Sequence, residues 1–318
     1  LCSNIVASMY VNIGMIFLAQ VAIGILGNLS LLYHYMFLYF SGHKPRPIDL
    51  ILRHLTVANS LVILSRGIPE TMTAFGMKDF LSEFGCKLVF YVHRVARGVS
   101  LSTTCLLSVF QAIIISPRNS RWAGLKVKAL GYIGPSNLLC WFLYMVVNIK
   151  VPMYVIGRWR NENNTNIDFG YCSFSHQGGS TDLPYAIFIS TPDTLCLCLM
   201  TWASGSMVFI LHRHKQRVQH IHRSNISPRS SPEIRATHSI LILVSTFVSF
   251  YTLSAIIYLY FYFFDKNTQW LVKTSALINA CFPTVSPFIL SSSDPCVCKF
   301  FFVCTGRNVQ LPHLIRKI

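Results

Sequence analysis

Charge is scarce in this chain. Of 318 residues only 12% are charged and only 11 are acidic, about half the charged fraction of a soluble globular domain. That excludes an ordinary water-soluble fold and a solvated, disordered tail protein alike. The sequence also has no HExxH zinc signature, no GxSxG nucleophile turn and no Walker loop, which leaves no recognisable catalytic set and speaks against an enzyme. Its 11 cysteines are dispersed and never stand as a CxxC pair, so neither a compact disulfide scaffold nor a metal knuckle is implied; no metal or cofactor is expected. The N-terminus shows no basic region followed by a small-residue cleavage site, and the first apolar run is expected to act as its own insertion signal.

What is abundant is apolar surface. Hydrophobic residues make up 53% of the chain and the mean hydropathy is +0.48, values typical of a polytopic membrane protein. Seven apolar segments are legible: Val11–Tyr39, Ile48–Met72, Leu88–Ile115, Val127–Val147, Tyr185–Leu211, Ile240–Phe264 and Val272–Leu290. Each is near or above the ~20 residues a helical span needs. Pro135 interrupts the fourth, and Pro283 with Pro287 the seventh, which a membrane helix tolerates when a neighbour re-satisfies the freed carbonyl. The expected fold is an all-α membrane protein, a single seven-helix bundle over residues 1–318 with a tail at 294–318. The third segment is its natural centre, with a cysteine at its head, charge in its first third and a basic turn at its foot.

The net charge of +16 does not point to nucleic acid, because the basic residues are spread over short loops. Loops 40–49, 116–128 and 212–235 together with the tail hold 16 Lys and Arg, against seven on the opposite side counting Lys273 at the lip of the last segment. The opposite side also carries Asp79, Glu83, Glu162 and Asp168. The positive-inside rule then puts the N-terminus outside and the C-terminus in the cytosol. On that topology Cys86, heading the third segment, and Cys172, in the long loop 148–184, share an oxidising compartment where a disulfide persists. Asn163-Asn164-Thr165 in the same loop is the sequon that topology selects for glycosylation. Asn28-Leu29-Ser30 lies inside a span and Asn225-Ile226-Ser227 on the cytosolic side.

Ionisable residues at membrane depth are costly and face one another or a wet cavity. Arg66 and Glu70 are four apart on one helical face, the spacing of an ion pair. His93, Arg94 and Arg97 crowd the first third of the third segment, and two accounts remain open. They either snorkel toward headgroups or line a ligand pocket open to the outside, in which case arginine favours a planar anion or carbonyl group. Asp193, just after Pro192, would complete that pocket or pair with an arginine. Glu70, Phe188, Tyr258, Tyr262 and Phe282 are the remaining candidate lining residues. On the cytosolic face Arg118, Arg121, Arg213, Lys215 and Arg217 suit a protein partner or anionic lipid. Cys296, Cys298 and Cys304 among Lys299, Phe300 and Phe301 suit reversible acylation, or remain free thiols.

Longer stretches are specific enough to suggest a family. ARGVSLSTTCLLSVFQAIIISPRNSRWAGLK (96–126), SRGIPETMTAFG (65–76), FGCKLVFY (84–91), SPFILSSSD (286–294) and HKPRPIDLILRHLTVANSL (43–61) resemble the vomeronasal type-1 receptors, a branch of the G-protein-coupled receptors. Asn28 in GNLSLL matches the first-helix asparagine of rhodopsin-like receptors. The wider class's acid-arginine-aromatic triplet is replaced by Val109-Phe110-Gln111, its seventh-helix Asn-Pro-x-x-Tyr by Ser286-Pro287-Phe288-Ile289-Leu290, and no Cys-Trp-x-Pro occurs in the sixth segment.

The resemblance implies a pheromone receptor in the plasma membrane of vomeronasal sensory neurons. Its ligands would be small social cues, sulphated steroids among them, and its partner an inhibitory-type heterotrimeric G protein. A bitter-taste-like receptor and a seven-span transporter or channel are the alternatives. The latter would need polar residues along the full depth of several helices, whereas Leu106–Ile115 is nearly all apolar.

Overall fold

A 33-residue helix, α4 (Glu83–Ile115), forms the axis of the molecule in the computed structural model. Its first turn is capped by Ser82, whose hydroxyl accepts from the Gly85 amide at 3.2 Å, satisfying one of the donors a helix start leaves over. It ends at Ser116, immediately before Pro117, as the restriction on a pre-proline residue dictates. Of its most apolar stretch 78% is buried, against 17–28% for the first, fourth, fifth and sixth spans, so the other helices are arranged around it. The structure describes residues 2–42, 46–77, 80–116, 123–157, 167–174, 182–221, 232–263 and 269–293.

Seven helical spans long and apolar enough to cross a bilayer lie among these residues. The first is α1 (Cys2–Phe40). The second comprises α2 (Pro47–Val62), a π-helical turn at Ile63–Gly67 and α3 (Ile68–Ala74). The third is α4, and α5 (Ala123–Val147) with the short α6 (Val151–Tyr154) makes the fourth. Then follow α7 (Asp182–Ile221), α8 (Pro232–Phe263) and α9 (Gln269–Ser293). Each predicted segment falls within a helix up to the described limits, and most helices run further. α7 continues to Ile221, so the basic run after Leu211 is a helical extension. The π turn ends at Gly67, two residues before Pro69, which has no amide hydrogen to continue the α ladder.

Buried polar contacts replace the hydrophobic drive that lipid-embedded helices lack. Asn59 on α2 accepts from the Ser100 hydroxyl of α4 at 2.6 Å and donates to Ser286 of α9 at 2.8 Å, tying three spans together. The Asn28 amide donates to the Pro283 carbonyl at 2.9 Å. That carbonyl is the one Pro287 leaves without its intrahelical donor, so α1 mends the break in α9. At one end of the bundle, Gln111 of α4 donates to Thr237 of α8 at 2.9 Å.

The opposite end is closed by a small antiparallel sheet, β1 (Val155–Gly157), β2 (Ile167–Asp168) and β3 (Cys172–Phe174), in the order β1-β3-β2. Gly157 stands opposite Cys172. A disulfide joins Cys172 to Cys86 on the first turn of α4, with the two Cα atoms 5.9 Å apart. Gly170 turns the chain at a φ of +87°, open to glycine at little cost. This places Phe169 across the bundle mouth, edge-on to Phe90 at 5.0 Å and packed toward Ile257 of α8 and Val272 of α9.

Candidate functional site

Beneath the sheet the helices carry two layers of polar residues. In the upper layer Arg66 and Glu70 form the ion pair their spacing implies, Nε to Oε1 at 3.7 Å, with the Glu70 side chain fully buried. The Arg66 guanidinium carbon also lies 5.3 Å from the centre of the Phe169 ring, and Lys273 is within electrostatic reach of the carboxylate. His93 is buried and its Nδ1 is 3.4 Å from the Ser65 hydroxyl. Glu70 and His93 are thus packed into a plug of helix and loop rather than presented to an open cavity.

The lower layer is built around Arg97, the fifteenth of the 33 residues of α4, nearer the helix midpoint than its end. Its guanidinium carbon stands 4.7 Å from the centre of the Tyr251 ring, a cation–π distance. The Tyr251 hydroxyl donates to Asp193 Oδ2 at 3.0 Å, and the Tyr144 hydroxyl donates to Oδ1 at 3.0 Å. Four spans therefore meet in one polar relay: α4, α5, α7 and α8. Arg97 and Tyr251 line a narrow cleft with about 30 Å³ of free space, together with Phe247, Asn279 and Phe282, among others. The Phe247 and Phe282 rings meet edge to face at 4.5 Å, giving the polar relay an aromatic wall.

Gly98 makes this convergence possible. A Cβ on Gly98 would lie inside the van der Waals surface of the Tyr144 ring, 2.7 Å from Cγ and closer still to Cδ1 and Cε1. Gly98→Ala is expected to push the ring aside and break its bond to Asp193. The cost should be about 1–3 kcal/mol of overpacking, read as a lower melting temperature of the purified protein. Tyr144→Leu on the Gly98→Ala background should recover much of that stability. Failure of the smaller side chain to rescue would show that Tyr144 is not what the glycine makes room for.

The candidate residues divide clearly. Arg97, Asp193 and Phe282 come together around the cleft. Arg94, half-buried one turn up, is within electrostatic reach of Tyr185 and Tyr251. Phe188 is 56% exposed and shares the outward face of α7 with Leu195 and Trp202, so it faces the surroundings of the bundle and not the cleft. The side chains of Tyr258 and Tyr262 lie outside the described residues. So do Asn163, Arg118, Arg121, Cys296, Cys298 and Cys304, and the side chains of Lys215 and Arg217. Arg213 is exposed at the last residue of the span Ile187–Arg213, its guanidinium carbon 5.6 Å from the Phe209 ring. Sequence reasoning missed Tyr144, Phe247 and Tyr251. Tyr251 stands four residues after Phe247 and seven before Tyr258, a one-face spacing that would have carried the aromatic wall down to the level of Arg97.

No through-path is visible in α4. Its buried Thr104 and Ser108 hydroxyls donate back to the Ser100 and Thr104 carbonyls, so they satisfy their own helix instead of lining a channel. Among the described residues no group of three or more His, Cys, Asp or Glu side chains suits a metal ion.

Comparison with known proteins agrees with this architecture. Residues 11–303 match the family model of the vomeronasal organ pheromone receptor family. Human vomeronasal type-1 receptor 2 is 58% identical over 95% of this chain and 76% of its own length. Human vomeronasal type-1 receptor 4 is 57% identical over 93% of this chain and 98% of its own. The crystal structure of squid rhodopsin superimposes with a TM-score of 0.71 over 94% of this chain and 86% of that one, at 15% identity, a likeness of fold alone. The seven-helix bundle, the disulfide over its mouth and the match across nearly the whole sequence lead to one assignment: the chain belongs to the vomeronasal organ pheromone receptor family, and is a multi-pass, G-protein-coupled receptor of that family and not an enzyme.

Proposed function

We propose that this receptor takes a small amphipathic semiochemical, bearing an anionic or carbonyl head such as a sulphated steroid, in the cleft at Arg97, and passes the event to an inhibitory-type G protein. The observation that carries the reading is the Arg97 guanidinium held over Tyr251 at a cleft with an aromatic wall. A cation beside apolar rings suits a ligand with one polar end and a rigid apolar body; the free space of about 30 Å³ admits only the polar end, and the helices would part to seat the body. Arg94 would add attraction for a negative head, and Tyr258 and Tyr262, when seated on the same side of α8, further aromatic surface. The proposed orientation has the N-terminus outside, supported by the basic loops on the other side and by a disulfide suited to an oxidising compartment. Arg118, Arg121, Arg213, Lys215 and Arg217 would then meet the G protein on the cytosolic face, in vomeronasal sensory neurons. Asn163 would carry glycan outside, and Cys296, Cys298 and Cys304 would anchor the tail by acylation.

The test is a response assay in cells supplying the G protein. A panel of sulphated and unsulphated steroids is applied to wild type, Arg94→Ala and Arg97→Ala, with surface expression measured alongside. Arg97→Ala is expected to lower potency toward sulphated ligands by about 100-fold, the loss of one charge-assisted contact. Unchanged potency in both variants would remove the cleft from the ligand site.

Signalling in this reading requires the cytosolic ends of α7 and α8 to part from α4. Gln111 and Thr237 hold α4 and α8 together there through a buried neutral hydrogen bond, at the position where other rhodopsin-like receptors carry a charged triplet. Gln111→Leu is expected to raise ligand-independent signalling several-fold, as loss of a bond of about 1 kcal/mol shifts a two-state balance about fivefold. Basal output equal to wild type at equal surface expression would show that this contact does not bias the two states.

A further inference from the structure

Asp193 lies behind Tyr251 and does not offer its carboxylate to the cleft as a bare anchor. Both of its oxygens accept tyrosine hydroxyls, Oδ1 from Tyr144 and Oδ2 from Tyr251, each at 3.0 Å. Tyr251 in turn carries Arg97 on its ring face. The sequence of groups is carboxylate, phenol, guanidinium. A phenol that donates to a carboxylate becomes richer in electron density, and its face attracts a cation more strongly. The negative charge is thereby held close to Arg97 with an aromatic ring in between. Arg94 adds a second positive charge within electrostatic reach of Tyr251.

We infer that Asp193 is a specificity-determining residue of the ligand cleft: as a tethered counter-charge behind Tyr251 it offsets part of the arginine field and sets how strongly the receptor prefers an anionic ligand over its neutral counterpart. This rests on the proposal that the ligand occupies the Arg97 cleft, and adds to it the group that tunes charge selectivity. The prediction has a sign that packing alone does not supply. Asp193→Asn keeps the shape and one acceptor for a tyrosine while removing a unit negative charge. At an effective dielectric near 20, a unit charge a few side chains away alters ion affinity by about tenfold. Tyr251→Phe keeps the ring but frees one carboxylate oxygen, leaving the charge in place and able to turn toward Arg97. The first change should raise anion preference and the second should lower it.

The experiment uses full-length receptor purified in detergent micelles, with a steroid alcohol and its sulphate ester as probes. Apparent affinities are taken from ligand-induced shifts in melting temperature. The readout is the affinity ratio of sulphate ester to alcohol, which loss of packing would not change. Asp193→Asn is expected to raise this ratio about tenfold over wild type, and Tyr251→Phe to bring it below wild type. A ratio within twofold of wild type in Asp193→Asn overturns the inference. So does equal weakening of both probes, or no shift with either probe in that variant. If Asp193→Asn does not fold, an unchanged or raised ratio in Tyr251→Phe overturns it instead. Arg97→Ala separates the two levels of argument. Loss of sulphate preference there with an unaltered ratio in Asp193→Asn sinks only the counter-charge. Unaltered binding in Arg97→Ala sinks the cleft itself.

Discussion

Cys86→Ser, and equally Cys172→Ser, should leave little responsive receptor at the cell surface. The bond closes a loop of 86 residues, and the chain-entropy model gives about 4–5 kcal/mol for a loop of that length, a large fraction of the stability of a typical domain. The loss is also local. Tyr171, Cys172 and Cys86 are buried against one another with Val155, and the bond fixes where β3 crosses the mouth. Without it Phe169 has no fixed place over Arg66 and Phe90, and the upper polar layer loses its cover. Surface immunolabelling with a ligand response measures this directly. Wild-type surface level and response in both single variants would show that the sheet holds its place through packing alone.

Arg66→Ala should be nearly as damaging, for a different reason. Its partner Glu70 is fully buried, and leaving a buried carboxylate without its counter-ion costs about 3–5 kcal/mol. Lys273 moderates this, being within electrostatic reach, but it stands on another helix. The double variant Arg66→Leu with Glu70→Leu removes both charges and should recover to within about 1 kcal/mol of wild type. Melting temperatures of wild type, Arg66→Leu, Glu70→Leu and the double variant complete the cycle. A double variant no better than Arg66→Ala would mean that the pair does more than neutralise itself, and would return Glu70 to the ligand-contact candidates. A recovered double variant that also keeps its ligand response would mark the pair as structural cover above the cleft.

These two expectations differ in how they were legible. Cys86 and Cys172 could be paired from chemistry alone, because the positive-inside reading assigns both to one oxidising compartment. Arg66 and Glu70 could be paired because four residues along a helix place them on one face. In both cases a local or compartmental rule suffices. The relay of Arg97, Tyr251, Asp193 and Tyr144 obeys no such rule. Its members come from four spans, and only their helices' mutual rotation brings them together. Phe188 shows the same limit from the other side: as an aromatic residue it reads as a lining candidate, yet the rotation of α7 turns it outward.

The reason is the solvent. In water a helix declares its inner face by being apolar on one side, whereas in lipid the outer face is apolar as well. The sequence by itself determined that this is a seven-helix membrane protein, which family it resembles, where proline breaks its helices and which cysteines are suited to pair, because length, composition and spacing along one chain carry those facts. Tertiary structure alone decided which side chains face the cleft, that a glycine at 98 admits Tyr144, and that Asp193 meets tyrosines before it meets any arginine. Those outcomes depend on how close helices approach and how each is turned about its axis, and no period within a single span encodes either.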